Sequence, residues 1–270
     1  MTSADSLFSG SIPELYDKYQ GPLLFQDYAD DLAAQLSRRG AEDVLEIAAG
    51  TGIVTRALAR LLPAARIAAT DLNQAMLDRA AGNTAPSRVA WRQADAQDLP
   101  FSDAAFDTVV CQFGLMFFPD RTKAYGQVRR VLKPGGRFLF NVWDRIENNP
   151  LSKAVGDALA ERYPKDPPRF LERTPYGYFD IGAIGVELEA VGFREIEVTT
   201  VPKRSRASSA RESAIGLCQG TPLRGEIEAR APGDLAAATN AVAAWLEKQF
   251  GAGPIDVPMQ AHRFSMTRGP

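Results

Sequence analysis

The chain has 270 residues, of which 45% are hydrophobic and 24% charged, and carries a net charge of −2. That balance supplies a full globular core and excludes a polybasic nucleic-acid binder. One histidine and two cysteines exclude a histidine-rich metal site and a disulfide framework; the first residues lack a secretory signal's basic and apolar regions, no apolar run reaches the ~18 residues of a membrane span, and a cytoplasmic protein is expected.

Residues 1–12 are small and polar and are expected to be disordered. Helical spacing runs from Glu14 to Leu36, with Phe25, Tyr28, Ala29, Leu32 and Leu36 on one stripe. Pro22 is expected to start this helix, and Ser37-Arg38-Arg39-Gly40 to close it. Apolar runs at 44–47, 66–70, 89–93, 106–111 and 137–142 then read as strands. Helices are expected between them at 54–62, 73–80 and 121–132, with a turn at Pro134-Gly135-Gly136. Alternation at this spacing implies a parallel sheet covered on both faces, the doubly wound α/β arrangement.

The last third reads differently. Helices are expected at 151–163 and 184–190, and period-two alternation predicts strands at 195–201 and 260–266. Between these strands lies a stretch of about fifty residues, too long for a plain hairpin loop. Within it Leu235, Ala238, Val242, Trp245, Leu246 and Phe250 fall on one helical stripe. That stripe calls for burial, against a cap or against a second subunit in a homodimer. The expected organisation is a helical lid at 1–36, a core at 37–145, a cap segment at 146–180, the rest of the core at 181–203 and 256–270, and an inserted helical cap at 204–255.

Three motifs carry the chemistry. The first is Val44-Leu45-Glu46-Ile47-Ala48-Ala49-Gly50-Thr51-Gly52. Small residues between a strand and a helix let backbone approach a ligand, and the helix N-terminus offers free N–H groups. The second is Asp71, about 20 residues on, where a carboxylate can accept two ribose hydroxyls or cap the next helix. The third is Asp95 with Ala96, after the third strand. A carboxylate and a backbone N–H there suit an exocyclic amino group and a ring nitrogen, and Asp98 is placed in the following turn.

At these intervals the segments resemble the cofactor motifs of class I methyltransferases that use S-adenosylmethionine (SAM), in the ubiquinone/menaquinone-type, small-molecule subgroup. Residues 99–107 and 130–137 extend the resemblance, which covers about 40–145. It implies a Rossmann-like seven-stranded sheet with the last strand antiparallel and with helical cap insertions. It implies that Glu46 ends the first strand as the family's acid, and that Ala48, Gly50, Thr51 and Gly52 form the cofactor loop. Asp71 would hold the ribose, with Leu72 and Met76 beside it, and Asp95 and Ala96 would hold adenine. Gln112 would face the methionine part. Apart from the resemblance, Tyr16 and Tyr19 precede the core with polar tips on aromatic bodies, and one of them, Tyr19 or Tyr16, is expected to close over the cofactor or else to pack against the sheet edge. Glycine is usual where Ala48 stands, and the extra methyl is tolerated if its dihedrals stay in an allowed region.

The resemblance implies a methyltransferase acting on a small molecule; charge, the histidine and cysteine counts and the lengths of the apolar runs lead us to expect no nucleic acid, no metal and no membrane partner. Two other readings compete. A nicotinamide-dinucleotide oxidoreductase would need G-x-G-x-x-G, but its third glycine falls on Thr55. A non-catalytic binding subunit with the same fold would share the binding residues. No catalytic residue is assigned, and the candidates for a base are Tyr16, Tyr19, Asp144, Tyr176, Tyr178 and His262. Gln219, Thr221 and Arg224 are expected to offer polar contacts to the acceptor.

Overall fold

The computed structural model describes residues 8, 10–38, 40–84 and 89–269. Most of the stretch expected to be disordered, and Arg39 in the expected helix end, lie outside them. The chain opens with α1 (Ile12–Leu15), a π-helical stretch (Tyr16–Phe25) and α2 (Gln26–Ser37). It continues through β1 (Asp43–Ile47), α3 (Ile53–Leu61), β2 (Arg66–Asp71), α4 (Gln74–Gly82), β3 (Val89–Gln93), β4 (Phe106–Gln112), α5 (Arg121–Val131) and β5 (Leu132–Trp143). Then come α6 (Pro150–Arg162), α7 (Phe170–Arg173), α8 (Ile181–Ala190), β6 (Phe193–Ala207), α9 (Ala210–Gln219), α10 (Leu223–Arg230), α11 (Leu235–Phe250) and β7 (Ile255–Arg268).

Two compact units result. One comprises residues 28–142, 179–201 and 261–270 and holds most of the sheet; the other comprises 1–27, 143–178 and 202–260. The seven strands lie in the order β3-β2-β1-β4-β5-β7-β6. β1 pairs in parallel with β2 and β4, β2 with β3, and β4 with β5. The last strand runs the other way. Arg137 reaches Ser265 while Asp144 N–H meets the Gln260 carbonyl, so residue numbers rise along β5 as they fall along β7. The seven-stranded mixed sheet expected from the sequence is thus present.

The sheet reads as apolar runs because both of its faces are covered. Val44, Leu45, Ile47, Val109, Val110, Phe138 and Phe140 are all buried. Phe140 stacks on Phe264 of β7 with ring centroids 4.7 Å apart, and Tyr125 of α5 packs on both Phe138 and Phe140. The Pro-Gly-Gly turn expected at 134–136 lies inside β5. Phe106 pairs with Leu132 but Thr108 with Arg137, so the residues between loop out as a bulge, with Gly135 at φ +72°.

The second unit is mainly helical. The N-terminal helix differs from the expected one: Pro13 stands at its first turn and Pro22 lies within its π-helical stretch. Proline removes an N–H from the α ladder, and the wider turn accommodates it, with Gln26 N–H bonding to the Gly21 carbonyl. Gln20 ties this stretch to α9. Its side chain is buried, and Nε2 donates to the Gly216 and Gly220 carbonyls at 2.9 and 3.2 Å. The middle of the α11 stripe, Ala238, Val242 and Leu246, is buried within this unit, where α11 packs on α9 and α6.

Candidate cofactor site

The site is built where β1 ends. Ala48, Gly50 and Gly52 take φ of +52°, +56° and +79°, folding the turn so that α3 starts at Ile53. Gly52 has no room for a side chain: a Cβ there would lie 2.9 Å from Trp91 Cη2 and 3.0 Å from Ala80 Cβ. Ala48 takes the place where glycine is usual. Its backbone is left-handed, in the small region L-residues enter at a cost, and its methyl faces Gly114, whose own Cβ would meet it at 2.5 Å.

Asp71 fastens this turn to the end of β2. Its Oδ2 accepts the Gly50 N–H at 2.8 Å and its Oδ1 the Asn73 N–H at 2.8 Å. Burial raises its pKa, against the lowering effect of those backbone donors. Asn73 Nδ2 also donates to Oδ1, at 3.4 Å. The neighbouring Leu72 is 52% exposed, an unusual setting for leucine between a strand and a helix. Met76 is buried, with its Cε 3.7 Å from where a Gly50 Cβ would stand.

Glu46, on the last turn-ward stretch of β1, is almost wholly buried. Burial pushes its carboxyl up to about 8, opposed by the Thr55 hydroxyl and reinforced by the Asp71 charge. Thr55 Oγ1 donates to Glu46 Oε2 at 2.5 Å. The Thr51 hydroxyl is buried without a hydrogen-bond partner among the described residues. On β3's side, exposed Asp95 accepts the Gln97 N–H at 2.8 Å, and Ala96 beside it is buried. On β4's side, Gln112 Oε1 accepts from Asn141 Nδ2 at 3.3 Å.

Glu46, Ala48, Gly50, Thr51, Gly52, Asp71 and Met76 therefore converge at the carboxyl ends of β1 and β2. Asp95 and Ala96 follow the next strand on one side, and Gln112 ends the next on the other. This is where open parallel sheets hold ligands. Tyr19 belongs to the helical unit, with the Lys18 ammonium 4.9 Å over its ring.

Sequence reasoning passed over Gly114 and Asn141. Asn141 left a signal, a lone amide in the apolar run Phe138-Leu139-Phe140-Asn141-Val142; it is buried, and its carbonyl accepts the Phe113 N–H. Gly114 left none that a single sequence displays.

The candidate bases and acceptor contacts are mostly engaged. Asp144 accepts from the Arg145 N–H, Asn148 Nδ2 and Gln260 Nε2. Tyr176 shares a hydrogen bond with Ser152 at 2.8 Å, and burial raises its pKa. Tyr16 stacks on Phe25, and Tyr178 is buried. His262 Nδ1 lies 3.1 Å from Thr200 Oγ1 on β6, and two strands separate β7 from β1. Gln219 donates to Thr239, Thr221 closes α9 onto α10, and Arg224 donates to Ser11. Burial pushes the Cys111 and Cys218 thiols up to about 12, so neither is a ready thiolate. Among the described residues no cluster suited to a metal ion occurs and no helix is long and apolar enough to cross a membrane.

Against known proteins, the family described as "Methyltransferase domain" matches residues 45–140. The ubiquinone/menaquinone biosynthesis C-methyltransferase of Caulobacter vibrioides is 30% identical over 192 residues, covering 64% of this chain and 75% of that protein. The enzyme of the same name from Saccharophagus degradans is 37% identical over 121 residues, 43% of this chain; there the match spans 49% of the relative's length. Among solved structures, the YcgJ protein of Bacillus subtilis superposes with a TM-score of 0.59 at 21% identity, over 90% of this chain and 99% of that one. The phosphoethanolamine N-methyltransferase 2 of Haemonchus contortus, solved with S-adenosyl-L-methionine, gives 0.61 at 19% identity, over 100% of this chain and 61% of that one. The structural likenesses carry the fold; the likeness across three quarters of the Caulobacter protein carries the family, and the chain belongs to the class I SAM-dependent methyltransferases of the ubiquinone/menaquinone-type group.

Proposed function

We propose that this protein transfers a methyl group from SAM to an oxygen, nitrogen or carbon nucleophile of a small organic acceptor, in the cytoplasm. The observation that carries the reading is the Asp71 carboxylate bound to the Gly50 N–H at 2.8 Å. It joins a ligand-ready backbone turn to a polar anchor of the kind a ribose diol requires. The site suits the whole cofactor. Glu46, Thr51 and the turn would receive the amino-acid end, and the unpartnered Thr51 hydroxyl supplies a hydrogen-bonding group there. Exposed Leu72 offers an apolar surface to a flat base, whose edge Asp95 and the Ala96 N–H would read.

Bound SAM supplies a sulfonium methyl group that passes in line to the acceptor. The protein's part is alignment and the exclusion of water, and oriented reactants reach effective molarities of roughly 10⁵ M or more. Thr55 argues against the dinucleotide alternative. That fingerprint needs glycine there for close helix–strand packing, whereas Thr55 is buried and bonded to Glu46.

The test is a SAM-consumption screen over quinols, phenols, indoles and fatty acids, with mass spectrometry of the products. A product heavier by one methylene is expected with at least one class. A protein that binds SAM and methylates nothing across the panel would instead support a non-catalytic subunit.

A further inference from the structure

One part of the sheet departs from the apolar rule. Side chains two apart share a face of a strand. Phe138, Phe140 and Phe264 take one face of β5 and β7, where they pack on Tyr125 and on one another. The alternate positions carry Arg137 of β5 and Arg263 and Ser265 of β7, and Glu197 and Thr199 of β6 continue the row. Together with Gln35 of α2 and the buried Leu139 they line a cavity of about 40 Å³. It lies wholly within the unit that holds most of the sheet. β4 stands between it and β1, so it is separate from the turn that follows β1.

The polar groups around this cavity are largely unspent. Arg137 Nη2 donates to Ser265 Oγ at 2.9 Å, which leaves the Ser265 O–H to donate elsewhere. Arg263 Nη1 donates to Asp31 Oδ2 of α2, which uses one of its five N–H groups. The Thr199 hydroxyl and the Gln35 carboxamide make no side-chain hydrogen bond among the described residues, and the Glu197 carboxylate makes no ion pair among them.

We propose that this cavity is a binding site for a small monocarboxylate, held by the Arg137 and Arg263 guanidinium groups and by the Ser265 and Thr199 hydroxyls. A guanidinium fork matches the two oxygens of a carboxylate, and hydroxyl donors complete their lone pairs. Size favours this class. At roughly 10–15 Å³ for each water-sized atom, the cavity has room for about three, and a carboxylate group has three heavy atoms. Charge favours it too. Two cationic groups attract an anion, while Glu197, exposed on the edge strand, opposes a second negative charge such as a phosphate carries.

The experiment is an NMR titration of the purified chain with sodium acetate at neutral pH and constant ionic strength, read on the arginine Nε–H signals. Inorganic phosphate is titrated alongside. The Arg137 and Arg263 signals are expected to move saturably with acetate, with a Kd on the order of 1 mM, and phosphate should bind more weakly. Arg137→Gln should weaken acetate binding by about tenfold. Thr199→Val and Glu197→Gln change exposed side chains, so the test does not depend on how the arginine variant folds. Thr199→Val should weaken binding by about threefold. Glu197→Gln should strengthen it by about threefold, since it removes the opposing charge. Arginine signals that stay in place, or that drift linearly with added acetate, overturn the site. So does wild-type affinity in folded Thr199→Val and Glu197→Gln proteins. Phosphate that binds more tightly than acetate overturns the assignment to a monocarboxylate.

Discussion

Asp71→Ala should weaken SAM binding by at least tenfold, and by up to about a thousandfold. The carboxylate would accept two ribose hydroxyls, and charge-assisted hydrogen bonds contribute roughly 1.5–3 kcal/mol each. The substitution also frees the Gly50 and Asn73 N–H groups, both now held at 2.8 Å, so the turn loses the bond that fixes its approach to β2. Folding should suffer less than binding. Asp71 is buried, and burial already raises its pKa, so removing its charge also removes a desolvation cost. Asp71→Asn keeps one acceptor and should fall between the two. Titration calorimetry on variants whose circular dichroism matches the wild type checks this. Unchanged affinity in a folded Asp71→Ala protein would remove Asp71 from the site.

Gly114→Ala should cost about 2–3 kcal/mol of stability, typical of overpacking a fitted core, and lower Tm by roughly 5–10 °C. The cause is steric and not conformational, because Gly114 has an ordinary φ of −99°. An added Cβ would stand 2.5 Å from Ala48 Cβ and 2.8 Å from Cys111 Sγ. Neither neighbour is the far end of a flexible side chain, so backbone must move, and the backbone at Ala48 belongs to the turn between β1 and α3, the candidate cofactor site. SAM affinity should therefore drop as well. The double variant with Ala48→Gly removes the closest contact and the left-handed strain at position 48, and should recover most of both losses. Thermal melts and titrations of the single and double variants form a double-mutant cycle. Losses that simply add would show that the two positions do not meet.

What could be read in advance was whatever the chain writes locally. Residues 44–47 and 138–142 are buried, so their strands appear as apolar runs, and α11 shows itself by spacing. Asp71 and Gly50 were visible because a strand–turn–helix unit sets their separation. The remainder depended on distant partners. Pro22 reads as a helix start, yet the helix runs on through it, and the stretch is tied down by the bond from Gln20 to Gly220, 200 residues later. Ala48 reads as an isolated departure from glycine, but its methyl fits because position 114, across two strand ends, has no side chain. Gln219, Thr221 and Arg224 have the chemistry of ligand contacts. Composition alone does not distinguish that use from tying helices together, as they do here.

The same contrast governs the acceptor. The candidate cofactor residues, Tyr19 apart, fall between Glu46 and Gln112 in one continuous stretch of strands and turns, where spacing carries meaning. Residues 1–27, 143–178 and 202–260 form the mainly helical unit, in which polar groups such as Arg162, Tyr163 and Asp234 bond to one another. The acceptor is identified by the SAM-consumption screen.

The central claim is that the turn after β1 holds SAM and not a nicotinamide dinucleotide. Its most direct test is a pair of calorimetric titrations of the purified chain, one with SAM and one with NAD, under the same buffer and temperature. The account predicts one-to-one binding of SAM at micromolar level and no measurable heat with NAD. Binding of NAD by a folded protein that ignores SAM would contradict it.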